Sequence, residues 1–139
     1  MSISIEAEKI MIERFGNDNV ISLATSENNI PSVRYVNAFY ESGAFFVLTY
    51  ALSNKMNQIK QNPVISIAAD WFTASGIGEN LGYFGSEQNK ELAGKMKSKF
   101  SEWIDNGHNN FEDENTIILK LKLTRGVLFS NGTRYDIEF

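Results

Sequence analysis

Residues 31–50 read PSVRYVNAFYESGAFFVLTY, and this stretch decides the fold. Residues 31–40 and 44–50 are rich in aromatic and β-branched side chains, which favour β-strands. Only the polar triplet at 41–43 separates the two runs, and it ends in glycine. The pattern therefore predicts an antiparallel hairpin.

The sequence that follows the hairpin, ALSNKMNQIKQNPVISIAADW, predicts a short helix and then another strand. Ser53 is a good helix cap and Pro63 a good stop, so the helix is placed over residues 53–62. Residues 64–71 form an apolar run of strand length.

Hydrophobic spacing predicts two further helices in the rest of the chain. The first is capped by Ser4 and ends at Gly16. The second and longest begins after Ser86 and carries an apolar stripe that includes Trp103. The remaining strands are predicted at 20–25, around 77–84, and at 116–123, 126–130 and 133–139, the last two joined by an Asn-Gly turn.

The order of these elements predicts the fold class. Strands cluster along the chain instead of alternating with helices, which favours an antiparallel α+β domain. About six or seven short strands in roughly 140 residues suit a small β-barrel, because closing the sheet removes its edges. We therefore expect one domain spanning residues 1–139.

Composition excludes several kinds of chemistry. The chain has no cysteine and one histidine, which leaves no disulfide, thiolate zinc site or histidine cluster, and we predict no metal site. The net charge of −4 argues against binding to nucleic acid or an anionic membrane. The N-terminus lacks a signal-peptide pattern, so we expect a soluble, cytoplasmic protein whose chemistry depends on a bound cofactor.

Basic residues are concentrated in one part of this acidic chain. Between Glu27 and Asp70 the single acid is Glu41, whereas the bases are Arg34, Lys55 and Lys60. Lys55 falls at about the second position of the predicted helix, where a cation opposes the helix dipole. A bound anion would reverse that effect, so Ser53, Lys55 and Arg34 predict a phosphate site. The alternative is an ordinary helix cap beside a solvated lysine.

Three other patterns have simple structural readings. The glycines of GIGENLG (76–82) fit a bent strand or a close contact better than a dinucleotide motif, because the third glycine is one position late. Strand alternation places three side chains, Tyr35, Asn37 and Phe39, on one face of the strand. They are either ordinary core and surface residues or a platform for a flat ring. His108 lies in a polar segment typical of an exposed loop.

The segments PSVRYVNAFY, FFVLTYALSNK and QIKQNPVISIAADW together resemble the pyridoxamine 5′-phosphate oxidase-like family of FMN-binding split β-barrels, especially its general stress protein branch. The shared pattern is an Arg on one strand, a Thr ending the next, Ser-x-Lys opening a helix, and a closing Asn-Pro. The resemblance implies that Arg34 and Lys55 bind the FMN phosphate, with a hydrogen bond from Ser53. Asn54 stands where the oxidase usually has a second arginine.

The same resemblance implies where the flavin ring lies and how the site is completed. Tyr35, Val36 and Asn37 would run along the isoalloxazine ring, and Thr49 would bond near it. Two FMN molecules would lie at the interface of a homodimer, so each site would need both subunits.

The resemblance does not extend to the oxidase's substrate residues. Phe39 replaces a lysine that contacts substrate phosphate, Thr73 is the nearest counterpart of a flavin-contacting Gln, and the chain ends in RYDIEF where the oxidase has Arg-x-His. We therefore expect an FMN-dependent oxidoreductase of another small molecule, with a nicotinamide cofactor as candidate electron donor and no assigned catalytic residue. The alternatives are a non-catalytic, stress-related binder of flavin or deazaflavin, and an interaction domain with an empty barrel.

Overall fold

The computed structural model describes residues 2–139, and most of its elements begin and end at the caps and turns that the sequence provides. Ser4 and Ser53 each accept a backbone N–H of the helix they precede. A short 3₁₀ turn, Glu87–Asn89, precedes the third helix. The elements are α1 (Ile5–Phe15), β1 (Asn19–Glu27), β2 (Ile30–Glu41), β3 (Ala44–Tyr50), α2 (Asn54–Gln61), β4 (Val64–Ala69), β5 (Phe72–Tyr83), α3 (Lys90–Lys99), β6 (Thr116–Ser130) and β7 (Thr133–Glu138).

The seven strands form one antiparallel sheet in the order β3-β2-β1-β4-β5-β6-β7. Pairing of β3 with β6 closes six of them into a barrel, and β7 extends β6 as a hairpin. This confirms the predicted α+β split barrel.

The barrel is split because β2 and β3 separate soon after their turn. They pair only from Phe39 to Glu41 on β2, opposite Ala44 to Phe46 on β3. Residues 30–38 of β2 pair with β1 along their whole length, but no other strand within residues 2–139 pairs with their second edge. That edge leaves backbone N–H and C=O groups available for a ligand.

Helix α1 packs across the apolar interior of the barrel. Its Ala7, Met11 and Phe15 are buried, and the Phe15 ring centroid lies 5.7 Å from that of Phe45 and 5.6 Å from that of Phe72. The spacing of four residues places the three α1 side chains on one helix face, which explains why this face is buried.

A second apolar cluster lies on the outer side of the sheet, where α3 packs. Phe39 and Phe46 stack there at 5.4 Å between ring centroids, and Phe39 also meets Phe100 at 5.7 Å. Strand alternation therefore divides β2 as predicted, because buried Phe39 faces away from the barrel interior that Ala38 and Tyr40 occupy.

Helix α3 is shorter than the sequence predicts. It has ten residues against eleven in α1, and Ser86 precedes the 3₁₀ turn instead of the helix. The predicted stripe continues beyond the helix, because Trp103 and Ile104 pack from turns that follow Phe100. The spacing of the apolar residues thus predicted which side chains pack together, but not that the chain after Phe100 forms turns instead of helix.

The glycine-rich strand β5 begins at Phe72, five residues earlier than predicted, and β6 is one strand where the sequence predicts two. A register shift at Ser75/Gly76 explains the second difference, because it absorbs Thr124 of β6 as a β-bulge. Glycine is required at position 76, where a Cβ would lie 2.3 Å from the carbonyl oxygen of Lys122. No helix within residues 2–139 has the length and hydrophobicity needed to cross a bilayer.

We predict that Gly76→Ala lowers the free energy of unfolding by about 1–3 kcal/mol, because the new methyl group meets backbone that cannot move alone. Gly94→Ala is the matched control, since nothing lies within 4 Å of its Cβ position on α3. That variant should gain about 0.5–1 kcal/mol from helix propensity. Urea denaturation measures the free energy of unfolding of each variant. If Gly76→Ala is as stable as Gly94→Ala, the close approach at position 76 is refuted.

Candidate functional site

The start of α2 places a lysine beside the first backbone N–H groups of the helix. Ser53 adopts an extended conformation (φ −70°, ψ 160°), and its hydroxyl accepts the backbone N–H of Met56 at 3.4 Å. Lys55, the second residue of α2, donates from Nζ to the same hydroxyl at 3.4 Å. The helix has no acidic residue in its first turn to balance this cation. The predicted cap and lysine are therefore both present.

Arg34 reaches this region from β2 and is held by uncharged acceptors alone. Its Nη1 donates to the carbonyl oxygen of Leu23 at 3.1 Å and to Thr25 Oγ1 at 2.8 Å. Its Nη2 donates to Gln58 Oε1 at 3.1 Å. These bonds fix the plane of the guanidinium and leave its charge uncompensated.

Sequence reasoning missed Gln58 and Thr25, which form the floor of the site. Both are buried, Gln58 at 7% exposure and Thr25 at 2%. Thr25 donates to Gln58 Oε1, and Gln58 Nε2 donates to Ser32 Oγ at 3.3 Å. The available signal was that Gln58 follows Lys55 by three residues, which places both on one side of the helix.

The two cations of the site repel each other. Burial lowers the pKa of Lys55, and the charge of Arg34 lowers it further. Burial also lowers the pKa of Arg34. Within residues 2–139 the salt bridges join Lys95 to Glu41 and two other surface pairs, so neither Arg34 nor Lys55 has an ionic partner there. A bound anion would relieve the repulsion between two such neighbouring, partly desolvated cations.

The residues expected along a flavin ring lie on the free part of β2 or across the split from it. Tyr35 is 78% exposed, whereas Val36 is half-buried against the barrel core. The Asn37 side chain donates to Asp18 Oδ1 at 3.0 Å, and Asp18 Oδ2 accepts from Trp103 Nε1 at 2.8 Å. The amide nitrogen of Asn37 is thus already engaged in a hydrogen bond.

Two other predicted residues flank the split. Thr49 is half-buried on β3 opposite Ile117 of β6, beyond the point where β3 leaves β2. Asn54 is exposed as the first residue of α2. Within residues 2–139, no side-chain hydrogen bond joins either residue to the Arg34 cluster. The structure therefore joins Lys55 to Ser53 by a hydrogen bond and to Arg34 through its charge, and within residues 2–139 it joins none of the other five predicted residues to this group by a side-chain hydrogen bond.

The outer face of the sheet beside the site is uncharged across four strands. Small polar and apolar side chains lie opposite one another there, and all are exposed or half-buried. One row is Tyr35, Ser22, Ala68 and Thr73, and the next is Val33, Ala24, Ser66 and Ser75. An exposed, uncharged surface of this kind can be buried against another protein without leaving an unpaired charge.

Acidic and histidine side chains are not arranged for metal binding. Within residues 2–139 no group of three such residues could hold an ion. His108 lies exposed in the segment after α3, where its backbone N–H bonds to the side chain of Asn106. The donors at the site are cationic or neutral, which fits a phosphate ester.

Comparison with known proteins identifies the fold. No protein family and no curated protein matches this sequence. Solved structures do match: general stress protein 26 from Bacillus anthracis is 18% identical with a TM-score of 0.64, covering 94% of this chain and 98% of its own. A pyridoxamine 5′-phosphate oxidase-related, FMN-binding protein from Nostoc punctiforme is 15% identical with a TM-score of 0.60, covering 99% of both chains. HutZ, the heme storage protein from Vibrio cholerae, is 20% identical with a TM-score of 0.62, covering 88% and 91%. The fold expected from the sequence resemblance is thereby confirmed.

We predict that replacing Lys55 by Met stabilises the ligand-free protein by roughly 0.3–1 kcal/mol at pH 7, because a cation at a helix start is removed. Lys60→Met, in the last turn of the same helix, should instead lose a little stability.

The effect of Lys55 depends on pH in a defined direction. Its pKa is lowered in the folded state from 10.5, so between the lowered value and 10.5 the unfolded chain binds more protons. Wild-type stability should therefore rise with pH in that window, and the advantage of the Met variant should shrink. Urea denaturation of wild type and Lys55→Met across this pH range measures the difference in their free energies of unfolding. If that difference does not change with pH, the charge of Lys55 does not destabilise the folded protein.

Proposed function

We propose that this chain is an FMN-binding flavoprotein related to pyridoxamine 5′-phosphate oxidase, acting as a homodimeric oxidoreductase on a small molecule. The observation that carries the proposal is the pair of uncompensated cations, Arg34 and Lys55, at the start of α2. A phosphomonoester offers two negative charges and several acceptor oxygens, which match a guanidinium, an ammonium and helix N–H groups.

The donor set also suggests how the rest of FMN would lie. From a phosphate at Arg34 and Lys55, the ribityl chain can lead to the free edge of β2, where residues 35–37 offer backbone hydrogen-bonding groups. Ser53 would donate to the phosphate, with Asn54 beside it, and Thr49 would face the ring from the other side of the split. Bound FMN would supply hydride and electron transfer, while these residues hold and orient it.

A homodimer would complete the site. Tyr35 and Val33 are exposed at 78% and 70%, so one subunit leaves the free half of β2 open to water. The uncharged face formed by β2, β1, β4 and β5 continues from this edge. A second copy of the same face would cover both flavins without burying an unpaired charge.

A flavin binder without turnover is the second candidate, and the composition of the site favours it. Within residues 2–139, Arg34 and Lys55 donate to neutral groups alone, so the proposed phosphate site itself contains no carboxylate or imidazole to transfer a proton. Such a protein could hold FMN, or a deazaflavin, as a stress-related binder. Anaerobic NADH or NADPH separates the two functions, because rapid bleaching of bound flavin supports the oxidoreductase and an unchanged spectrum supports the binder.

We predict that the purified protein releases FMN on denaturation and that Arg34→Ala or Lys55→Ala weakens FMN binding by about 1.5–3 kcal/mol, the value of a charged hydrogen bond. This corresponds to roughly 10- to 150-fold in the dissociation constant. Titration of the protein at fixed salt concentration, followed by quenching of flavin fluorescence, measures this dissociation constant.

Lys60→Ala is the matched control for these variants, because it removes the same charge from an exposed position of the same helix. Its affinity should stay within about twofold of wild type. Unchanged affinity in both site variants would contradict the phosphate assignment. If the denatured protein releases heme instead of flavin, identified by its absorption and mass, then the cofactor is heme and not FMN.

We predict that Val33→Glu gives a monomer that no longer retains flavin, because the carboxylate would be buried against its own copy in the dimer. Ile12→Glu, at an exposed position of α1 away from this face, should remain dimeric and yellow. Light scattering with absorbance at the flavin band measures mass and loading together. A flavin-loaded monomer of either wild type or Val33→Glu would refute the shared site.

A further inference from the structure

We propose that Gln58 is a positioning residue, which aims the Arg34 guanidinium at the anion while leaving its charge free. This inference rests on the proposed function, since it concerns how the same site selects a phosphate. It assigns a role to a buried side chain that binds neither the flavin ring nor the phosphate itself.

The hydrogen-bond pattern allows only one orientation of the Gln58 amide. Arg34 can only donate, so the atom of Gln58 that faces Arg34 Nη2 at 3.1 Å must be the oxygen. The same oxygen accepts the Thr25 hydroxyl, and the amide nitrogen on the other side donates to Ser32 Oγ at 3.3 Å. Reversing the amide would place donor against donor, so the network holds Gln58, and Gln58 in turn holds Arg34.

The choice of an amide has an electrostatic consequence. A carboxylate at this buried position could accept the same hydrogen bonds from Arg34 and Thr25, and it would form an ion pair that neutralises the guanidinium. Gln58 provides the geometry of that contact without its charge. The positive charge of Arg34 therefore remains available to an anion and continues to act on Lys55.

The position of Gln58 on α2 couples the two halves of the site. Lys55 and Gln58 are three residues apart on one helix, while Thr25 and Arg34 belong to the neighbouring strands β1 and β2. A single helix thus carries one cation and the acceptor that orients the other. This arrangement fixes the relative position of the two charges.

The test compares FMN with riboflavin, which differs by lacking the phosphate. For Gln58→Met, which keeps the length but removes the acceptor, we expect the preference for FMN over riboflavin to fall about tenfold. Gln58→Glu should abolish most of the preference, because its carboxylate pairs with Arg34. Riboflavin affinity should stay within about twofold of wild type in both variants, which also reports that they are folded.

Gln61→Glu is the control, since it makes the same chemical change at an exposed position of the same helix. It should retain the wild-type preference. If Gln58→Met keeps the full preference for FMN, or if FMN and riboflavin affinities fall together, Gln58 has only a structural role and the inference is wrong. If the wild-type protein itself does not distinguish FMN from riboflavin, it is the proposed phosphate site that fails.

Discussion

Two neighbouring like charges that lack an acidic partner among residues 2–139 are the constraint from which the site follows. Arg34 and Lys55 come from different elements, and burial together with mutual repulsion lowers the pKa of Lys55. A protein that only needed a stable helix start would place an acid there, where the dipole favours it. The fold instead holds a guanidinium with three neutral acceptors and places an ammonium beside it. A pair of charges that destabilises the ligand-free protein in this way is typical of a binding site.

The barrel positions this pair through an interruption in its own pairing. β2 pairs with β3 only from Phe39 to Glu41, and α2 is bonded to the preceding part of β2 through Gln58, which accepts from Arg34. Closure is restored further round the sheet, where β3 pairs with β6 over seven residues. The opening is thus confined to one part of the barrel. The same separation exposes Tyr35 and Val33, which links ligand binding to contact with a second subunit in the proposed dimer.

Local signals in the sequence predicted those parts of the fold that depend on neighbouring residues. The hairpin, the Ser53 cap and the stop at Pro63 are such features, and all three are present. Errors occurred where distant contacts override local preference. The Ser75–Gly76 bulge joins two apparent strands into β6, and tertiary packing carries the Trp103 stripe past the end of α3. Gln58 was missed because a glutamine in a short polar helix looks solvated until its strand partners are known.

A crystal structure of the protein grown with excess FMN tests the proposed phosphate site. We expect the phosphate to lie between the Arg34 guanidinium and the Lys55 ammonium, within hydrogen-bond distance of both, and Gln58 to keep its contact with Arg34. A structure in which these two side chains point into solvent, or in which FMN occupies another part of the molecule, would contradict it.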